Sequence, residues 1–142
     1  MQRIVQSLIV SLLICLMSIS KTYAADSRED QIKKVLFTQQ AAWNKGDIPS
    51  YMKGYWNSPE LTFVSGGSIT YGWKETLERY LKKYDTKEKV GVLRFEDLNV
   101  RHLSNTHSLA AGIWRLNRKT GESWGRFSLV FKKINSEWVI IY

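Results

Sequence analysis

The chain has 142 residues, with 21 Lys and Arg against 13 Asp and Glu, a formal charge of +8 and a single Cys. That length holds one domain with a single modest core and no second one. The positive excess raises nucleic acid as a partner. However, Lys82 and Lys83, Lys87, Lys89, Arg118 and Lys119, and Lys132 and Lys133 fall at predicted helix ends and hairpin tips, where solvated charge keeps a protein soluble. No aromatic-plus-basic reader motif accompanies them, so no nucleic-acid partner is expected.

The first 24 residues have the layout of a secretory signal peptide. Met1 to Arg3 is a short positive segment, Ile4 to Ile19 an apolar run, and Thr22, Tyr23 and Ala24 a small-residue cleavage site. Gln6, Ser7 and Ser11 interrupt the run, which falls short of the roughly 20 apolar residues of a membrane span. The expectation is an exported, periplasmic or extracellular protein with no membrane segment after cleavage. Cys15 lies inside the leader after Leu13 and Ile14, so the mature chain from Ala25 to Tyr142 carries no cysteine. That excludes disulfides, thiol catalysis and cysteine-bound metals from it.

After a polar lead-in, Asp26 or Ser27 can cap a helix, with Asp30 in capping-box position to Ser27. Ile32, Val35, Leu36, Gln39 and Trp43 then recur at helical spacing, and Gly46 supplies the left-handed stop. Asp47 caps a short second helix with Pro49 in its first turn and Tyr51, Met52, Tyr55 and Trp56 on its apolar side. Asn57, Ser58 and Pro59 end that segment. Leu61 to Ser65 is a short strand, with Gly66 and Gly67 a turn behind it. Thr70, Tyr71 and Gly72 open a third helix with Trp73, Leu77, Tyr80, Leu81 and Tyr84 along one face. Its predicted outer face is Lys74, Glu75, Glu78, Arg79 and Lys82.

From Val90 the period becomes two. Residues 91–103, 106–117, 122–133 and 137–142 read as strands joined by turns at Ser104 and Asn105, at Lys119 to Gly121, and at Asn135 and Ser136. Helices followed by hairpins predict an α+β fold, with the helices on one face of a mainly antiparallel sheet. Ala110, Gly112, Trp114 and Leu116 share one side with Gly125, Phe127, Leu129 and Phe131. The other side carries Ile113, Arg115, Trp124, Arg126, Ser128 and Val130. Both are partly apolar, so one is expected to meet the helices and the other a partner subunit, giving a homodimer through the outer sheet face.

The run from Trp56 to Phe63, then Thr70 to Trp73 with Leu77, Tyr80, Lys83 and Tyr84, then Gly112 to Trp114, Phe127 to Lys132 and Trp138 to Ile140, resembles the SnoaL-like branch of the nuclear transport factor 2-like superfamily. The resemblance covers essentially the whole mature chain and implies a cone-shaped curved sheet with three N-terminal-half helices on its concave face. It also implies a pocket at the open end of the cone. Trp73, Leu77, Tyr80 and Tyr84 of the third helix would face it, Trp114, Phe127 and Leu129 of the sheet would line it, and Trp56 and Ser65 would stand near its rim. Such a lining suits a flat apolar or aromatic small molecule bearing one or two oxygens. Aromatics at helical spacing also serve simply as core.

The superfamily includes ketosteroid isomerases, polyketide cyclases and small dehydratases, and one fold hosts many chemistries. A ketosteroid isomerase needs a carboxylate base on the first strand and donors to an enolate. The resemblance puts the base position at Val64 or Ser65, the donor carboxyl at Phe127, and Gln39 near the place of the oxyanion tyrosine. Relatives of this branch also usually run past the position of Tyr142 into an Asp-His pair whose Asp would point into the pocket. Glu96 or Asp97 is a lone base if it faces inward. His102 and His107 flank one hairpin turn without a third ligand, which reads as exposed histidines rather than a metal centre. No metal and no cofactor are expected.

Three functions remain open from sequence: an exported binding module for a small apolar molecule, a cofactor-independent lyase or isomerase using Tyr80, Tyr84 or an inward carboxylate, and an assembly fold with a filled pocket. A cavity holding a perturbed carboxylate favours the enzyme, an aromatic one favours binding, and a closed one favours assembly.

Overall fold

A computed structural model describes residues 26–142. The predicted leader and Cys15 lie outside the described residues. Helix α1, Arg28–Asn44, starts on Ser27, whose hydroxyl accepts from the Asp30 amide while the Asp30 carboxylate accepts from the Ser27 amide, a full capping box. Gly46, at φ 76°, turns the chain out of it. Helix α2, Ile48–Met52, is capped by Asp47, whose carboxylate accepts from the Ser50 amide at 2.9 Å. That bond and the nearby Lys53 and Lys45 hold the Asp47 carboxyl below its usual range.

Strands β1, Thr62–Ser65, and β2, Ser68–Tyr71, form a hairpin. Gly66 and Gly67 make its two-residue turn at φ 59° and 74°, the left-handed backbone such a turn requires. The structure therefore corrects the reading of Thr70 and Tyr71 as a helix opening. Ile69 and Tyr71 are 57% and 64% exposed, so β2 has no buried face to give it a period. Helix α3, Trp73–Lys83, follows directly, and a further short helix, α4, Lys87–Val90, stands on the Thr86 cap.

The main sheet is an antiparallel meander of β3, Val92–His102, β4, His107–Arg118, β5, Gly121–Ile134, and β6, Glu137–Ile140. The register of β3 on β4 slips between Glu96 and Asn99, with Asp97 at φ 56°, and this bulge bends the sheet around the helices. Across α1, Asn44 accepts from the Leu93 amide at 2.7 Å and donates to the Leu93 carbonyl, while Gln40 accepts from the Phe95 amide at 2.7 Å. The free edge of β3 is thus capped by side chains of α1. At the other edge, backbone bonds from Trp56 to Ile140 and from Ile140 to Gly54 tie the exit of α2 to β6. Between the layers lie Ile32, Leu36, Met52, Leu61, Ala110, Phe131 and Ile140, all fully buried. No helix among the described residues is long and apolar enough to cross a membrane.

Candidate functional site

Helices and sheet part at one end to leave a cavity of about 610 Å³. Gln39 and Trp43 reach it from α1, Tyr51 and Tyr55 from α2 and the turn after it, and Phe63, Val64 and Ser65 from β1. Tyr80 on α3 and Tyr84 at its C-cap share its wall with Lys83. The sheet contributes Leu93, Phe95, Trp114, Leu116, Phe127 and Leu129, and Tyr142 stands at the mouth, half exposed. Two glycines make the large rings fit. Trp114 lies across from Gly125 and Phe127 across from Gly112, and a Cβ on either glycine would come within 3.0 Å of the facing ring.

The helical wall is a continuous aromatic cluster. Trp43 meets Tyr51 and Tyr84 edge-on with ring centroids 5.1 and 4.7 Å apart, Tyr80 meets Tyr51 at 5.3 Å and Phe63 at 5.5 Å, and Tyr80 stacks on Tyr84. The Trp43 indole is fixed from behind by donating to the Val90 carbonyl at 2.9 Å. Within the cluster the Tyr51 hydroxyl lies 3.4 Å from those of both Tyr55 and Tyr80. Burial pushes the Tyr51 and Tyr80 phenols well above their ordinary value and raises Tyr55 as well, so all three keep their protons near neutrality. The three hydroxyls are clustered at the cavity wall, where a phenol O–H can turn to donate to an oxygen in the cavity.

Of the residues expected at the site, Ser65, Tyr80, Tyr84, Trp114, Phe127 and Leu129 are brought together here. Trp56 and Trp73 are not. Trp56 lies under the Lys132 ammonium, 5.5 Å from the ring centre, at the β6 edge. Trp73, the first residue of α3, packs against the core and donates from its indole to the Met52 carbonyl at 2.9 Å, and Leu77 also joins the core. Arg79, predicted on the outer face of α3, instead lies against β1, its guanidinium over the Phe63 ring and donating to the Ser65 carbonyl at 3.4 Å. Sequence reasoning missed Trp43, Tyr51, Tyr55 and Phe95 as lining. The tyrosine pair at i and i+4 around the end of α2 was the available signal.

The positions at which the resemblance would set catalytic groups, Val64, Ser65, Phe127 and Gln39, do reach the cavity. Gln39 is buried and committed to the Tyr51 carbonyl at 3.0 Å. Glu96 is engaged by Arg115 at 2.7 Å, on the strand face away from Trp114, and Asp97 lies at the bulge, 4.0 Å from Arg126. Neither belongs to the lining, which contains no Asp, Glu or His side chain. His102 faces the Ser108 hydroxyl at 3.1 Å and His107 the Thr106 hydroxyl at 3.0 Å, and no three metal-ligating side chains gather among the described residues.

This architecture is similar to a nuclear transport factor 2-like protein of unknown function from Shewanella oneidensis, with 40% identity over 79% of this chain and 93% of that one and a TM-score of 0.75. The chain belongs to the nuclear transport factor 2-like superfamily. Two more distant superfamily proteins share the fold: one from Salmonella enterica, at 21% identity, 80% and 85% coverage and a TM-score of 0.64, and one of unknown function from Pseudomonas putida, at 16% identity, 80% and 81% coverage and a TM-score of 0.65. No protein-family model and no curated protein matches the sequence. In this nuclear transport factor 2-like chain the cone is open at the end where the aromatic cluster lies, with Val64 and Tyr142 half exposed at its mouth.

Proposed function

We propose that this is an exported small-molecule-binding protein of the SnoaL-like branch, which holds a flat apolar or aromatic molecule in the open end of the cone. One observation carries the reading: an open cavity of about 610 Å³, within the range of ligand pockets, lined by aromatic rings with clustered hydroxyls and no Asp or Glu side chain. Rings of Trp43, Phe95, Trp114 and Phe127 would cover an apolar body, and a phenol O–H of the Tyr51, Tyr55 and Tyr80 cluster would turn to an oxygen on it. A lyase or isomerase would need a base near the ligand. Tyr80, with its raised phenol, supplies a donor and not a base at neutral pH. A filled, assembly-only cone would not leave this space.

The convex sheet face supports a second copy of the chain as partner. Leu109, Ala111, Ile113 and Val130 run along it half-buried, and Trp124 is 58% exposed there. Two such faces packed about a twofold axis would close a homodimer. A native mass spectrum of the protein exported through its own leader tests these points together. The expected species is a dimer of chains beginning at Ala25 with a discrete extra mass. Monomers with the leader retained and no added mass would overturn the proposal.

A further inference from the structure

Resting on the pocket reading above, we infer that the ligand is an apolar or aromatic monocarboxylate, its carboxylate held at the mouth by Arg79 and Lys83 beside the Ser65 hydroxyl. These two cations stand one turn apart on α3 and bracket Tyr80. The Arg79 guanidinium lies 5.5 Å from the centre of the Phe63 ring, and the Lys83 ammonium 5.4 Å from that of Tyr84. Both rings belong to the large cavity. Between them is a side cleft of about 30 Å³, bounded by Phe63, Ser65, Arg79, Tyr80, Lys83 and Tyr84, which opens beside the aromatic cavity and shares five of these residues with it. It has room for one or two oxygen atoms, since a single water needs about 10–15 Å³.

Charge decides what belongs there. Among the described residues neither Arg79 nor Lys83 is in an ion pair, although other cations of the chain are. Glu75, one turn before Arg79, turns its carboxylate over Gly72, and Glu78 is exposed. No Asp or Glu side chain belongs to the lining itself. An anion in the cleft would accept charge-assisted bonds from both cations, and the planar guanidinium fork matches a carboxylate in shape. A neutral ligand of the same outline would leave both without an ionic partner.

Calorimetric titration of the processed protein with para-phenylbenzoate and with its neutral isostere para-phenylbenzamide tests the inference. The acid is expected to bind about tenfold more tightly than the amide, a difference of about 1.4 kcal/mol. Arg79→Gln with Lys83→Gln should abolish that margin and bring acid and amide to equal affinity, with the near-ultraviolet circular dichroism of the aromatic cluster reporting that the variant is folded. Lys83→Gln alone, at an exposed position, should cut the margin about threefold. Lys82→Gln removes the same charge from a neighbouring position outside the cleft and should leave the margin intact. Equal binding of acid and amide by the unaltered protein would overturn the inference and leave the pocket standing, and so would a margin that survives the double variant. A margin lost equally in Lys82→Gln would trace it to overall charge and overturn the inference too. Failure to bind either probe would bring down the pocket reading, and this inference with it.

Discussion

Tyr51 and Tyr80 are the side chains whose chemistry the fold changes most. Both are phenols that burial holds well above pH 10, with Tyr55 raised beside them. Below about pH 10 the folded and unfolded chains both keep these protons, so pH has no leverage through them. Above it the unfolded chain releases protons that the folded one retains, and stability drains away as pH rises. Urea midpoints on the alkaline side should therefore fall beyond about pH 10, less steeply in Tyr51→Phe, and a share of the phenolate absorbance, that of the buried cluster, should appear only in step with unfolding. A midpoint indifferent to that range would contradict the burial of this cluster. At Gly54 the crowding is mechanical, since a Cβ would come 2.5 Å from the Gln39 amide carbon, and Gln39 is held by the Tyr51 carbonyl. Gly54→Ala should cost about 1–3 kcal/mol in denaturant unfolding, as overpacking does.

Among the elements, those with a buried face or strong punctuation were legible. The capping box on Ser27, the Asp47 cap and the three hairpin turns of the main sheet stand where the residue types demanded them. Removing the first should be measurable: Ser27→Ala is expected to cost about 1 kcal/mol and to lower the thermal midpoint. What escaped the sequence lacked a periodic face. β2 exposes Ile69 and Tyr71, and α4 is a four-residue turn of mostly charged residues. The site was half legible for a related reason. Alternation on β4 and β5 put Trp114, Phe127 and Leu129 on one side, but helical spacing alone does not say which residues of an apolar stripe reach core and which reach cavity. Trp73 and Leu77 went to the core, Tyr80 and Tyr84 to the cavity. Arg79 was misplaced because its long apolar stem lets it lie across Phe63 while its charge remains at the mouth.

For the molecule as a whole, the sheet is asked to serve two surfaces at once: the concave one lines a cavity and the convex one, as proposed, meets a second copy. Ile113→Lys on the convex face should convert a dimer to monomers in a sedimentation run while leaving the cavity's ligand binding within about twofold, because successive side chains of a strand point to opposite faces of the sheet. Sedimentation as a monomer before any substitution would sink the dimer. On the concave face, Trp114→Ala removes the largest sheet ring of the cavity and should weaken binding of an apolar aromatic probe about tenfold or more, as loss of an aromatic anchor does. The central claim is that the aromatic end of the cone receives the ligand, and the six tryptophans report on it directly. In a nitrogen–proton correlation spectrum of residues 25–142 titrated with para-phenylbenzamide, the indole signals of Trp43 and Trp114 should move together and saturably, while that of Trp124 on the convex face stays in place. Signals of Trp43 and Trp114 that do not respond, or a response confined to Trp124, would contradict the account.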